Sequence, residues 1–97
     1  MPTYILLGHY TEQGIQKVKD TVNRVDAVRA LAKKVGATIK EAYWTLGQYD
    51  VVTIVEAPDE AAVTALGLSI GALGNVRTQT LRAFTAGEIG PILTKVG

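Results

Sequence analysis

There is no cysteine in these 97 residues, which rules out disulfides, thiolate nucleophiles and cysteine-ligated zinc. It fits a reducing compartment, and the cytoplasm is the expected location. Histidine occurs once, as His9, so no metal site can be assembled from several histidines of one chain. Charge of one sign is equally scarce. Ten basic against nine acidic residues leave a net charge of +1, too small a field to recruit nucleic acid. No apolar run reaches the roughly 18 residues of a membrane helix. Met1 to Tyr4 lead straight into a strand pattern without a basic leader region. Gly-x-Gly-x-x-Gly, P-loop, Gly-x-Ser-x-Gly and His-Glu-x-x-His patterns are all missing, so dinucleotide, nucleoside triphosphate, serine-hydrolase and zincin readings have no support.

What the chain has in excess is aliphatic surface. Hydrophobic residues make up 47% of it, more than one modest core in a single domain spanning residues 1–97 can hide. The sequence therefore predicts self-association, as a homodimer or a higher oligomer, with part of the apolar surface facing another subunit.

Residues 3–10 alternate, with Tyr4, Leu6 and Tyr10 on one side and Ile5, Leu7 and His9 on the other; both sides are apolar enough to expect cover on each. From Thr11 the apolar residues recur at intervals of three and four as far as Val35, which predicts a helix. Asp20, Thr21 and Asn23 favour caps over helix interiors and are expected to break it in two, and Gly36 ends it. Residues 39–46 and 51–57 read as two strands joined as a hairpin through Gly47-Gln48-Tyr49-Asp50. Asp59 caps a second helix that runs to Gly74, with Gly67 and Gly71 thinning one side for a close backbone approach. A fourth strand follows over 75–84, and residues 87–97 read as a docking tail interrupted by Gly90-Pro91. The order β-α-β-β-α-β is that of a ferredoxin-like α+β fold with a four-stranded antiparallel sheet. A second copy laid on the bare face would form a dimeric α+β barrel. RNA-recognition modules share this order, but the fourth strand lacks their exposed aromatics and the sheet is not basic.

Tyr43-Trp44-Thr45-Leu46-Gly47-Gln48-Tyr49-Asp50 is the richest corner of the chain. Together with Thr11-Glu12-Gln13-Gly14-Ile15, Glu56-Ala57-Pro58-Asp59 and the run from Gly74 to Phe84, it resembles the GYD domain family nearly end to end, with Gly47-Gln48-Tyr49-Asp50 as the Gly-x-Tyr-Asp signature. The chain departs from the family pattern at His9-Tyr10, where an Asn-Trp-like pair would be expected. The resemblance implies a ferredoxin-like, dimeric fold and carries no established activity.

The candidate site residues follow from side-chain chemistry. Histidine is the side chain whose ordinary pKa lies near neutrality, so His9 is the candidate acid, base or ligand, with Asp50 to orient it. Asp50 also suits a plain turn cap. Tyr49 either donates its phenol into a pocket or packs as an interface anchor. Tyr43 and Trp44 fall on opposite faces of their strand, one expected in the core and the other lining the second face. Arg77 and Arg82 likewise fall on opposite faces, so at most one can present its guanidinium to a carboxylate or phosphate in a central cavity. Gly47 completes the ligand-binding set; no dedicated metal set is indicated, and the sequence leaves the cofactor unknown. Two functional readings stay open. One is a homo-oligomeric barrel protein binding a small organic molecule, anionic if an arginine faces it, between sheet and helices near Gly47 to Asp50, with or without catalysis. The other is a non-catalytic assembly or regulatory module whose Gly-Gln-Tyr-Asp corner is a subunit or partner contact. Neither reading involves nucleic acid or a membrane.

Overall fold

The computed structural model describes all residues 1–97. Strand β1 (Thr3–Tyr10) leads into a short helix α1 (Glu12–Gln16), a 3-10 turn at Val18–Asp20 and helix α2 (Thr21–Lys34). The break predicted near Asp20 is present, and Arg24 holds it by donating to the carbonyls of Gly14 and Lys17. Strands β2 (Thr38–Trp44) and β3 (Val51–Glu56) follow, then α3 (Glu60–Ala72), β4 (Val76–Ala83) and α4 (Ala86–Leu93). The four strands are antiparallel in the order β2-β3-β1-β4, the ferredoxin-like arrangement expected from the sequence.

Strand register decides which residues share a face. Tyr4, Leu6 and Gly8 of β1 stand opposite Val55, Thr53 and Val51 of β3, and this side carries the helices. Its core is a cluster of ten buried residues including Tyr4, Leu6, Ile39, Val55, Val63 and Leu66. Ile5 and Leu7 stand opposite Ile54 and Val52 on one flank and Leu81 and Gln79 on the other. No residue on this second face is buried. Within the single chain the helices cover one face only, because α2 and α3 both pack on the same side.

At the start of β4 the chain is locked to α1. Thr11 donates its N–H to Asn75 O at 3.1 Å and its hydroxyl to Gly74 O, while its Oγ1 caps α1 by accepting from Gly14 N–H. Gln13 adds bonds to Leu73 O and to the Asn75 side chain. Gly74 turns the chain here with φ of 84°, a left-handed conformation that suits glycine.

Two expectations are corrected. Residues 86–93 are a helix and not a loose tail, because Thr85 and Glu88 form a reciprocal capping box that starts α4 despite Pro91. Of the two helix glycines, Gly67 has the Thr78 and Thr80 hydroxyls of β4 at ordinary contact distance, whereas Gly71 faces open space; the close backbone approach expected of them exists at neither position.

A Cβ on Gly14 would sit 1.9 Å from Asn75 O, so backbone has to move to admit it. Gly14→Ala is expected to lower stability by about 1–3 kcal/mol, read as a reduced urea midpoint with the slope unchanged.

Candidate functional site

One end of the sheet gathers most of the chemistry. The 45–50 loop turns at Gly47, where φ is 105° and nothing crowds the missing side chain. Its far end is bonded to β1 through Asp50. The Asp50 N–H donates to Gly8 O at 2.9 Å, and Asp50 Oδ2 accepts from Tyr10 N–H at 2.9 Å. The carboxylate thus extends the β1–β3 contact one step beyond the ladder, satisfying a half-buried amide. Within the loop, Thr45 N–H donates to Asp50 O at 2.9 Å and the Thr45 hydroxyl to Tyr49 O.

Tyr49 folds back over the open face. Its ring lies 4.7 Å from that of His9, tilted by 35°, and its hydroxyl donates to Gln79 Oε1 at 3.2 Å. Arg77 is the cross-strand neighbour of His9, and Tyr43, opposite Val52 on β3, shares this face with its side chain exposed. His9, Tyr43, Tyr49 and Arg77 are thereby brought to one surface, with Gln79 added. The bond partner of Asp50 is the Tyr10 amide and the neighbour of His9 is the Tyr49 ring, so no hydrogen bond joins the expected base to its expected orienter.

Trp44 and Arg82 lie on the helix side. The Trp44 indole N–H donates to Thr21 Oγ1 at 2.9 Å, and the Tyr10 hydroxyl meets the same oxygen at 2.9 Å. Thr21 therefore ties the start of α2 to β1 and β2, a role that its sequence position, suggestive only of a cap, does not disclose. The parity argument for Tyr43 and Trp44 holds, but the expectation that one of them is core does not: they are 53% and 43% exposed. Tyr43 lies on the face that carries no helix, and Trp44 stands at the end of edge strand β2, bonded to the first residue of α2 but not covered by it. Between the sheet and α2 there is a cavity of about 60 Å³, walled by Leu6, Val25, Val28, Ile39 and Ile70 with Arg24 and Thr21 also lining it. Val51 borders it, but Gly47 to Asp50 do not. No three His, Cys, Asp or Glu side chains lie close enough together to hold a metal ion.

Arg82, on the opposite face from Arg77 as parity requires, is engaged inside the chain. It donates to Thr3 O and Ala83 O, lies over the Phe84 ring at 4.3 Å and pairs with Glu88 at 3.4 Å. The Glu88 carboxyl is held below its ordinary range, first by the Thr85 backbone N–H, against an opposing push from burial, and then by Arg82 and the Thr85 hydroxyl. A lowered folded value means that this contribution to the α4 junction is complete above the ordinary carboxylate range and is lost as pH falls through the depressed value.

Two outcomes follow. Asp50→Ala strands the Tyr10 amide and is expected to cost about 1–2 kcal/mol in urea denaturation, whereas Asp50→Asn, which keeps an acceptor, recovers most of that. In an NMR titration the Thr85 amide is expected to shift with a midpoint below that of an ordinary glutamate; a midpoint at the ordinary value would remove Glu88 from the cap.

Comparison with known proteins agrees with this architecture. The glutamine synthetase and cystathionine beta-lyase binding protein of Thermus thermophilus is 33% identical over 90 residues, covering 92% of this chain and 95% of that one. The crystal structure of TTHA0845, also from Thermus thermophilus, matches with a TM-score of 0.57 and 28% identity, over 89% of this chain and 96% of that chain. The model of the GYD domain matches residues 4–93, a span that takes in the Thr11–Asn75 lock, the Asp50 corner and the stacked His9–Tyr49 pair, and the chain belongs to the GYD domain family.

Proposed function

We propose that this protein is a non-catalytic protein-binding module that docks a partner on the open face of its sheet. The observation that carries this reading is the make-up of that face. Ile5, Leu7, Val52, Ile54 and Leu81 form an apolar floor with no buried member, and His9, Tyr43, Tyr49, Arg77 and Gln79 stand at one end of it. An apolar centre with tyrosine and arginine at its border is the composition of a protein interface. The name of the Thermus relative supports the same class of function, since it describes a protein that binds two enzymes. Metabolic enzymes are accordingly the first partners to test.

The small-molecule reading draws less support from the geometry. The half-open cavity of about 60 Å³ between sheet and α2 is several-fold below the roughly 300–1,000 Å³ of ligand pockets. His9, Tyr49 and Arg77 face away from it, on the other side of the sheet. In the protein-binding reading, Tyr49 is an anchor pre-positioned by its bond to Gln79, His9 supports its ring, and Asp50 holds the loop that carries it.

Titration calorimetry against glutamine synthetase and cystathionine beta-lyase from the same organism tests this reading. Binding of the wild type to either enzyme is expected, with Kd rising about thirtyfold in Tyr49→Ala, as for an interface anchor, and further in Leu81→Glu. Unchanged affinity in both variants would move the docking surface off this face, and His9→Ala with full affinity would remove His9 from it.

A further inference from the structure

We infer that β4 is a docking edge for an extended segment of another protein, which adds to the sheet as a fifth strand and sets an aspartate or glutamate side chain against Arg77. This goes beyond the docking of a partner on the sheet face and does not depend on it.

The two edges of the sheet are built differently. At β2 the register slips between Ile39 and Glu41, Lys40 at the slip pairs with Glu56 at 3.7 Å, and Arg29 occupies the Ile39 carbonyl at 2.9 Å. A bulge, a lysine and an occupied carbonyl close an edge to further strands. Strand β4 has none of these devices. It pairs with β1 over Val76–Ala83 without a slip, and the strand contains no proline, glycine or lysine. The bond from Thr11 N–H to Asn75 O sets the alternation of the ladder: backbone groups of residues 77, 79 and 81 point at β1, and those of 76, 78, 80 and 82 point away from the sheet. Outward groups of this kind are what an added strand uses for affinity, while its side chains set specificity.

Charge defines the partner. From Ala61 to Gly87 there is no acidic residue, and Arg77 and Arg82 are the only charged side chains. Arg82 is committed to Glu88. The chain's other ion pair joins Lys40 to Glu56, so Arg77, exposed and with His9 as its cross-strand neighbour, has no carboxylate. An opposite charge directly across an antiparallel pair is favourable, and a guanidinium fits a carboxylate in a two-pronged bond. A second copy of β4 brings no acid to this place, since Val76–Ala83 contains none. Glu41 lies on β2, the edge that the slip and Lys40 close. The matching strand is therefore foreign.

On the helix side of the same edge an open groove of about 500 Å³ runs between α3 and β4, lined by Leu68, Gly71, Ala72, Thr78 and Thr80 among others, with Arg77 at its border. The Thr78 and Thr80 hydroxyls already fill the place beside Gly67, whereas nothing lies within 4 Å of where a side chain on Gly71 would begin. The free space is thus near Gly71 and under Leu68, which is 71% exposed. Side chains of an added strand alternate. Those opposite Thr78 and Thr80 enter this uncharged groove and are best small or apolar. Those opposite Arg77, Gln79 and Leu81 lie on the other side, where an acid, a polar residue and an apolar residue fit in turn.

The test is an NMR titration of the labelled chain with the peptide Ser-Thr-Val-Thr-Thr-Val-Glu-Ser, acetylated and amidated so that its glutamate is its only charge. Laid antiparallel to residues 76–83, it sets that glutamate opposite Arg77. The Thr78 and Thr80 amides are expected to shift and to exchange more slowly on binding. Replacing the peptide's glutamate by lysine is expected to weaken binding about tenfold, and Arg77→Glu to recover binding of the lysine peptide. Methylating the peptide nitrogens opposite Thr78 and Thr80 is expected to abolish binding, as is Thr80→Pro, which removes an outward N–H and no bond to β1; the peptide variants test the ladder without touching the fold. Absence of shifts at millimolar peptide would overturn the proposal, as would equal affinity for the glutamate and lysine peptides. So would shifts centred on Ile5, Leu7 and Ile54, which would place the peptide on the sheet face, or Thr78 and Thr80 amides already protected without peptide in a dimer, which would give the edge to a second copy. Tyr49→Ala is expected to bind the peptide unchanged, so edge and face docking fail separately.

Discussion

A four-stranded sheet has two faces, and in this chain both long helices lie on the same one. That constraint comes from connectivity. Crossovers between parallel strands of one sheet are right-handed as a rule, and with the strands in the order β2-β3-β1-β4 that hand returns α2 and α3 to one side. The small core and the bare second face both follow. An alternating strand with apolar residues on both sides, such as Thr3–Tyr10, is costly to leave half-covered in water, and this sequence carries such alternation through β1, β3 and part of β4.

The residues that distinguish the chain divide into two kinds of work. Asp50, Thr11, Gly14, Gly74 and Asn75 serve the backbone: they complete a ladder, cap a short helix and permit close contact between segments that are about sixty residues apart in sequence. His9, Tyr49, Arg77 and Gln79 serve a surface. The first group holds the second in place, since the Asp50 bonds position the loop from which Tyr49 reaches His9 and Gln79. A signature motif can thus be functional through one of its residues and structural through the next. Here the phenol of Tyr49 faces outward and the carboxylate of Asp50 faces the chain.

The edges extend the same argument. One face of the sheet carries no helix, and the sheet's two edges differ: β4 pairs with β1 over eight residues without a slip, whereas the slip, Lys40 and Arg29 occupy the β2 edge.

Much of this was legible in the residues. Alternation located the strands within a residue or two, Asp20-Thr21 marked the helix break, Thr11 and Asp59 marked caps, and parity separated Arg77 from Arg82 and Tyr43 from Trp44. These properties are local, because a side chain's face depends on its neighbours two to four positions away. What the local pattern lacks is knowledge of cover. Parity says that Tyr43 and Trp44 oppose each other, yet both are exposed, Tyr43 because no helix lies on its face and Trp44 because it ends an edge strand that the start of α2 touches without covering. Side-chain chemistry suggested His9 and Asp50 as a pair, yet Asp50 bonds the Tyr10 amide, forty residues away in sequence. Residues 87–97 read as a tail, yet the Thr85–Glu88 box and Arg82 fold most of them into a helix. The sequence by itself determined the elements, their order and their faces; only the tertiary structure decided which faces are covered, which hydrogen-bond partners meet and which edge stays open, because those depend on contacts between residues too far apart for any periodicity to encode.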